Sequence, residues 1–264
     1  VAPQCSARSR SKPGPWCPVA VLLLGVTLVF GGCASTPGDP LEPVNRKVHA
    51  FNESFDRRVA RPVAEAYDNV TPRPVNRSVT NFFNNLDDVT VFVNSGLQLK
   101  GGDMAATGYR LMINTTAGIF GLFDVAAATG QRKRNEDFGQ TLGYWGVPAG
   151  PYLVIPFLGP SNFRDAPSLY VDVRTNPSYH LDEIQRHSYF LVALYAVDTR
   201  ASLLGASDLF DTAATDSYSF MRDAWSRRRA NQVHDGDPPD SAIPGYEDDD
   251  FDPFDDEGDE DLFD

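Results

Sequence analysis

The sequence predicts a mainly α-helical protein, a bundle of amphipathic helices interrupted by one Gly/Pro-rich hairpin and flanked by terminal segments outside the fold. Three observations carry that expectation. Apolar residues recur every three or four positions through 44–59, 75–86 and 214–225. Glycine and proline crowd the stretch 118–165. The net charge of -13 is unevenly placed: residues 1–32 hold three basic groups and no acidic one, whereas 235–264 hold fifteen Asp and Glu and no Lys or Arg. The body from 33 to 234 has 20 Lys+Arg against 21 Asp+Glu, so it lacks the basic footprint that nucleic-acid binding requires.

The first segment reads as an address. Arg8, Arg10 and Lys12 precede an uncharged run from Val19 to Phe30, and twelve residues span only about 18 Å of helix, short of a ~30 Å hydrocarbon core. A basic start, a short apolar run and the small residues Gly31-Gly32 describe a secretory signal peptide over 1–32. Cys33 follows at once, an order that resembles a bacterial lipobox, in which the cysteine is acylated. Phe30 departs from the usual leucine of that motif. Cys5 and Cys17 lie in the removed part, so no disulfide can form within the mature chain. The one covalent group expected is a lipid on Cys33, with no cofactor and no metal, and several acyl chains would anchor stably. Ala34-Ser35 after the cysteine, rather than Asp, resembles an outer-membrane destination. A lipidated linker is read over 33–38.

The folded domain is expected over 39–234. Pro43 suits a first helical turn, and Val44, Val48, Phe51, Phe55 and Val59 form one face. Pro62 is expected to end or kink that helix, with Val63, Ala66 and Tyr67 continuing it. A loop at 71–74 precedes a second helix through Val75, Val79, Phe82, Phe83 and Leu86. The stretch 89–99 fits strand alternation and helical spacing equally in part. Gly101-Gly102-Asp103 reads as a boundary with an N-cap, opening a helix through Tyr109, Met112 and Ile113. From 118 to 165 long helices are not expected. Tyr152 to Leu158, bracketed by Gly150-Pro151 and Gly159-Pro160, suggests two extended arms hinged on glycines. Helical spacing returns at Leu181, Ile184, Leu191, Leu194 and Tyr195, then at Ala214, Tyr218, Met221 and Trp225. The Arg227–Arg229 cluster favours the end of that last helix. Residues 235–264 read as a disordered acidic tail. Core packing is the ordinary reading of the Phe/Val faces; partial burial in lipid is the alternative, and composition does not separate the two.

No catalytic constellation emerges. His49, His180, His187 and His234 form no HExxH pair, and no ligand cluster has metal spacing. Gly159-Pro160-Ser161-Asn162-Phe163 breaks the nucleophile-elbow pattern at its last position. Asp137-Phe138-Gly139 lacks the Gly-rich loop and HRD motif that would accompany it in a kinase. The reading is therefore not an enzyme. Arg132, Lys133 and Arg134 could meet anionic lipid head groups or form a solvated loop.

Several blocks, in order, carry a resemblance: Asp39-Pro40-Leu41-Glu42-Pro43-Val44-Asn45-Arg46; Asp56-Arg57 with Arg61-Pro62; Asn81-Phe82-Phe83-Asn84-Asn85-Leu86; Asp137-Phe138-Gly139-Gln140-Thr141-Leu142-Gly143; and Gly150 through Ser161, followed by Arg164-Asp165. From about 39 to 230 the chain resembles the VacJ/MlaA family of outer-membrane lipoproteins. The resemblance implies a ring-shaped helical fold in the inner leaflet of the outer membrane, beside a trimeric porin. It implies an amphipathic channel that removes misplaced phospholipids from the outer leaflet and passes them to a soluble periplasmic carrier, anchored on the periplasmic side. Within that picture, Gly146 and Gly150 are the expected hinges. Tyr144, Trp145, Leu153, Val154, Ile155, Pro156 and Phe157 are the expected gate. A periplasmic scaffold or adhesion lipoprotein without lipid transfer, and a lipolytic enzyme, are the competing readings.

Overall fold

The computed structural model describes residues 39–179, 185–239 and residue 242. The signal peptide, Cys33, the linker to 38, Leu181, Ile184 and nearly all of the acidic tail lie outside the described residues.

Helix α1 (Glu42–Phe55) carries Glu42 and Pro43 in its first turn, where a carboxylate suits the helix dipole and proline's missing N–H costs nothing. Pro62 does not end the helical path. The chain widens into a π-helical turn at Asp56–Ala60 and runs on as α2 (Arg61–Val70). The physical reason lies in the hydrogen-bond ladder: the Arg61 N–H reaches back five residues to the Asp56 carbonyl, a step that eases the ladder past a proline with no N–H to offer.

Helix α3 (Arg73–Leu97) resolves the ambiguous stretch as helix as far as Leu97. Helix α4 (Gly101–Thr116) packs back along it, but Asp103 is not its N-cap: Lys100 occupies the cap position, and Asp103 sits in the first turn, paired with Arg134 at 2.5 Å. Between α3 and α4 lies Arg110, 1% exposed. Its Nε donates to Asp88 at 3.2 Å, one Nη to Asp124 at 3.1 Å and the other to the Gln131 carbonyl at 2.6 Å. A charge so buried persists only because its partners are in place. Asp124 also caps the short α5 (Val125–Ala128), accepting from the Ala127 N–H.

Besides the short α5, the Gly/Pro-rich region holds α6 (Phe138–Tyr144) and an antiparallel hairpin of β1 (Tyr152–Ile155) and β2 (Gly159–Asn162), with Tyr152 opposite Asn162 and Ile155 opposite Gly159. The remaining elements are α7 (Asp165–Thr175), a 3-10 turn at Pro177–Tyr179, α8 (Gln185–Ser202), α9 (Leu204–Ala213) and α10 (Ser217–Val233). Helix α10 opens at its Asp216 cap, so Ala214 falls before it. Asp235, assigned above to the tail, is tied into the fold by Lys100 at 2.5 Å.

The free edge of β1 is satisfied by a helix. Asn45 accepts from the Val154 N–H and donates to the Tyr152 carbonyl, each at 3.0 Å. Asn52 accepts from the Phe157 N–H at 2.8 Å and donates to the Ile155 carbonyl at 3.0 Å. Seven helical residues rise about 10.5 Å, and three strand residues advance about 10 Å, so two amides on one face of α1 keep step with β1.

The distribution of polarity is inverted. Buried positions include Asn45, Asp88, Thr90, Asn94, Ser95, Gln98, Thr107, Arg110, Gln140 and Thr141. Val44, Phe51, Phe55, Val59, Val63, Val70, Phe120 and Phe123 are exposed. The core-packing reading of the Phe/Val faces holds for Val48 but not for the rest of the α1 and α2 stripe: Val44, Phe51, Phe55, Val59 and Val63 face outward. A small apolar cluster does form where Tyr152, Val154 and Tyr218 meet, with Val48 and Trp225 against it. No helix among the described residues is long and apolar enough to cross a membrane.

Candidate functional site

Two adjoining clefts, both open to solvent, lie among these elements. The smaller, about 470 Å³, is ringed by α3, the start of α6, the hairpin tip, α7 and α10. Its wall alternates carboxylates (Asp87, Glu136, Asp137, Asp165, Asp172) with Ile155, Leu158, Leu169 and Val173. The larger, about 660 Å³, lies between the 143–150 segment, β1 and α10, and is lined by Gly146, Val147, Pro148, Gly150, Tyr152, Arg164, Arg222 and Arg227. Trp225 and Arg229 belong to both walls.

Arg229 organises the divide. Its two Nη atoms grip Asp137 at 2.6 and 2.7 Å, and its Nε donates to Asp165 at 2.6 Å. Asp165 is shared with Arg164 at 2.7 Å. Asp137 meanwhile caps α6 by accepting from the Gln140 N–H at 2.9 Å. Burial alone would raise the Asp137 pKa, but Arg229 outweighs it and holds the carboxyl below its ordinary value. The helix must come close for this: a Cβ on Gly139 would lie 2.5 Å from both Arg229 and Asp165. Thus Asp137-Phe138-Gly139, a chance tripeptide as catalysis, is a cap and a close approach as structure. Asp172 differs. It accepts from the Phe138 N–H at 2.9 Å and from Asn94 at 3.5 Å, and burial pushes its pKa up to about 6.

The residues singled out in the sequence fall in several places. Gly146 and Gly150 line the larger cavity, both at positive φ, +86° and +68°. Gly146 closes α6 in a Schellman motif, its N–H on the Gly143 carbonyl and the Val147 N–H on the Leu142 carbonyl, each 2.9 Å. Ile155 lines the smaller cavity. Val154 is buried in the apolar cluster, Leu153 is half-buried and Pro156 is exposed. Phe157 packs edge-on between Phe51 and Phe55, with ring centroids 5.1 and 5.0 Å away. Tyr144 and Trp145 line neither of these cavities; their rings meet edge to face, with the Trp145 indole donating to the Leu97 carbonyl at 3.1 Å. Of the basic cluster only Arg132 is exposed. Lys133 reaches the Asn84 carbonyl at 2.8 Å and Asp88 at 3.3 Å, and Arg134 is the partner of Asp103. Asn45, Asn52, Asp87, Asp172 and Arg229 were not singled out as site residues. The quoted blocks contain Asn45 and Asp137, yet nothing in their spacing tells what they bind.

A helical protein with apolar side chains on its outside, a polar interior and two open clefts whose walls mix charged and apolar groups presents the kind of surface that marks a membrane- or protein-interaction face. Comparison with known proteins agrees. A sequence model described as MlaA lipoprotein matches residues 37–232. An uncharacterized protein of Rickettsia felis is 38% identical over 199 residues, 74% of this chain and 78% of that one. The Escherichia coli (strain K12) intermembrane phospholipid transport system lipoprotein MlaA is 33% identical over 224 residues, 80% of this chain and 86% of its own. A solved structure from work on the structural basis for maintenance of bacterial outer membrane lipid asymmetry superposes with a TM-score of 0.65 and 29% identity, covering 75% of this chain and 100% of that one. The chain belongs to the MlaA lipoprotein family, a family of transport lipoproteins and not of enzymes.

Proposed function

We propose that this chain forms a ring in the inner leaflet of the outer membrane and conducts phospholipids through the two cavities at its centre. It is a lipoprotein of intermembrane phospholipid transport that maintains outer-membrane lipid asymmetry. In the proposed mechanism, phospholipids misplaced in the outer leaflet enter the ring, pass the Trp225–Arg229 wall, and leave toward a soluble periplasmic carrier; a trimeric porin holds the ring in place, and acylated Cys33 anchors it. No bond to the lipid is made or broken. The observation that carries this reading is the inverted polarity: the Phe51–Val70 face is exposed while Asp88, Asn94, Gln98 and Arg110 are buried. A solvent-exposed apolar face of that extent is stabilised only against another apolar phase, at about 25 cal/mol per Å² covered.

The 146–150 segment and the hairpin tip act as the gate, with Gly146 and Gly150 at its base. Arg132 is the member of the basic cluster left free to meet a head group. The test is reconstitution of the acylated protein in vesicles carrying a fluorescent phospholipid, followed by transfer to a soluble acceptor protein. Transfer that depends on the protein supports the passage. Stable membrane association without bound or transferred phospholipid would instead identify a scaffold.

A further inference from the structure

Helix α10 delivers the chain that follows it back to the larger cleft. Past Val233 the backbone turns through Asp235 and Gly236, both left-handed at φ +54° and +99°, with the Gly236 N–H on the Asn231 carbonyl at 2.9 Å. Asp235 is pinned to Lys100, and a further turn closes with the Ala242 N–H on the Pro239 carbonyl at 2.8 Å. Ala242 then stands in the wall of the larger cleft with Trp225, Arg227 and His234. Residues 243–264 thus depart from a point on that wall. They hold twelve Asp and Glu, no Lys or Arg, and the rings of Tyr246, Phe251, Phe254 and Phe263. The cleft has the opposite composition: its lining carries four arginines against one aspartate, Asp223, together with Val147, Tyr152 and Trp225. Three of the arginines are committed, Arg164 and Arg229 to Asp165 and Asp137, and Arg222 to Asp223 at 2.8 Å. Arg227, on the cleft wall, and its neighbour Arg228 are exposed on α10, and neither has a carboxylate within ion-pair distance among the described residues.

We propose that the chain's own segment from Glu247 to Asp256 seats in the larger cleft as an internal anionic ligand, its carboxylates facing Arg227 and Arg228 and its Phe rings against Trp225, and that it competes there with the phosphate of a lipid head group. The competition rests on the phospholipid-passage reading; the seat does not. Reach is no obstacle: the nine residues from 243 to 251 span about 30 Å when extended, enough to cross a cleft of about 660 Å³. Each exposed ion pair is weak in water, but a short tether holds the carboxylates at a local concentration on the order of millimolar. Alternation of acid and ring in Asp250-Phe251-Asp252-Pro253-Phe254-Asp255 suits a wall that offers guanidinium and indole side by side.

The experiment uses the acylated full chain in a non-ionic detergent, with photoreactive p-benzoylphenylalanine in place of Phe254, and maps the crosslinked peptides by mass spectrometry. The expected products are intramolecular, at Val147, Tyr152 or Trp225 on the cleft wall. Arg227→Gln with Arg228→Gln, in a variant whose circular dichroism is native, should lower their yield about tenfold. Salt at about 1 M, which cuts the screening length to about 3 Å, should act in the same direction. Short-chain phosphatidylglycerol added to the wild type should lower the yield several-fold. Crosslinks confined to other surfaces, crosslinks formed only between molecules, or a yield indifferent to the arginine pair would overturn the seat. A yield indifferent to the added phospholipid would overturn the competition. Cleft crosslinks in a protein that transfers no lipid between vesicle and acceptor would overturn the passage and support the seat.

Discussion

Arg229 holds Asp137 in a two-point grip, 2.6 and 2.7 Å, and so ties the last helix to the N-cap of α6 across the divide between the cavities. Arg229 is mostly buried and Asp137 about one-third exposed, so the pair lies between the buried and the surface regimes. Removing the guanidinium leaves two carboxylates, Asp137 and Asp165, facing each other without it. Arg229→Leu should therefore destabilise the fold by about 2–4 kcal/mol in denaturant unfolding, whereas exposed Arg228→Ala should stay within about 0.5 kcal/mol. Equal effects of the two changes would refute the assignment.

The carboxyl of Asp172 gives a pH dependence of definite sign. Burial raises its folded pKa to about 6 from the ordinary 3.8, so the folded state binds the proton more tightly than the unfolded one. Its contribution to stability is fully present below the unfolded value and is lost as pH rises through about 6. Part of the side chain meets solvent, which reduces the effect to the order of 1 kcal/mol. Thermal unfolding of Asp172→Asn should exceed the wild type at about pH 7.5 and lose that advantage by about pH 4.5. A variant less stable than wild type at the higher pH would contradict the sign.

The Asn52 amide makes two hydrogen bonds to the hairpin, and the hairpin tip carries the proposed gate. Asn52→Ala should cost about 1–3 kcal/mol and speed amide exchange at Phe157 far more than within α4. Unaltered exchange at Phe157 would mean that the tip is held by the Phe51 and Phe55 rings alone.

Gly146 separates strain from gating. No atom lies within 4 Å of a Cβ built there, but its φ of +86° is left-handed. Gly146→Ala should cost about 1–2 kcal/mol through the backbone alone. Gly146→Pro imposes a φ near −65° and removes the N–H that closes α6. If that second variant folds normally and moves lipid at the wild-type rate, the segment is a turn and not a gate.

The loop after α4 presents Ile119, Phe120 and Phe123 to the outside, with Phe120 72% exposed. In a chain carrying Cys33→Ala, so that acylation no longer masks the effect, Phe120→Ser should lower vesicle association by about tenfold in a flotation assay. Undiminished flotation would show that this loop does not enter lipid.

What the sequence revealed and what it hid have a common cause. Helical spacing and the clustered Gly and Pro located α1, α3, α10 and the hairpin, because local periodicity depends only on the chain's own geometry. The direction of each face did not follow, since a Phe/Val stripe reads the same whether a protein core or a lipid phase covers it. On α3 the buried stripe is mostly polar: beside Phe83 and Val91 it carries Asp88, Asn94, Ser95 and, just past the helix end, Gln98. A search for apolar periodicity passes over it. Asn45 and Asn52 are unremarkable as single residues, and only the strand beside them reveals why they stand two turns apart. Arg229 read as a helix-end charge because its partners are 92 and 64 residues away.

The central claim is that phospholipid passes through the interior and does not merely wet the outer face. Photo-crosslinking tests it directly, with a phospholipid bearing a diazirine near the glycerol reconstituted with the acylated protein and the labelled peptides mapped by mass spectrometry. The account predicts labels on the cavity walls, at Ile155, Leu158 and Trp225, that fade when unlabelled phospholipid is added. Labels confined to Phe51, Val59 and Phe120 on the outer face, with none on the cavity walls, would contradict it.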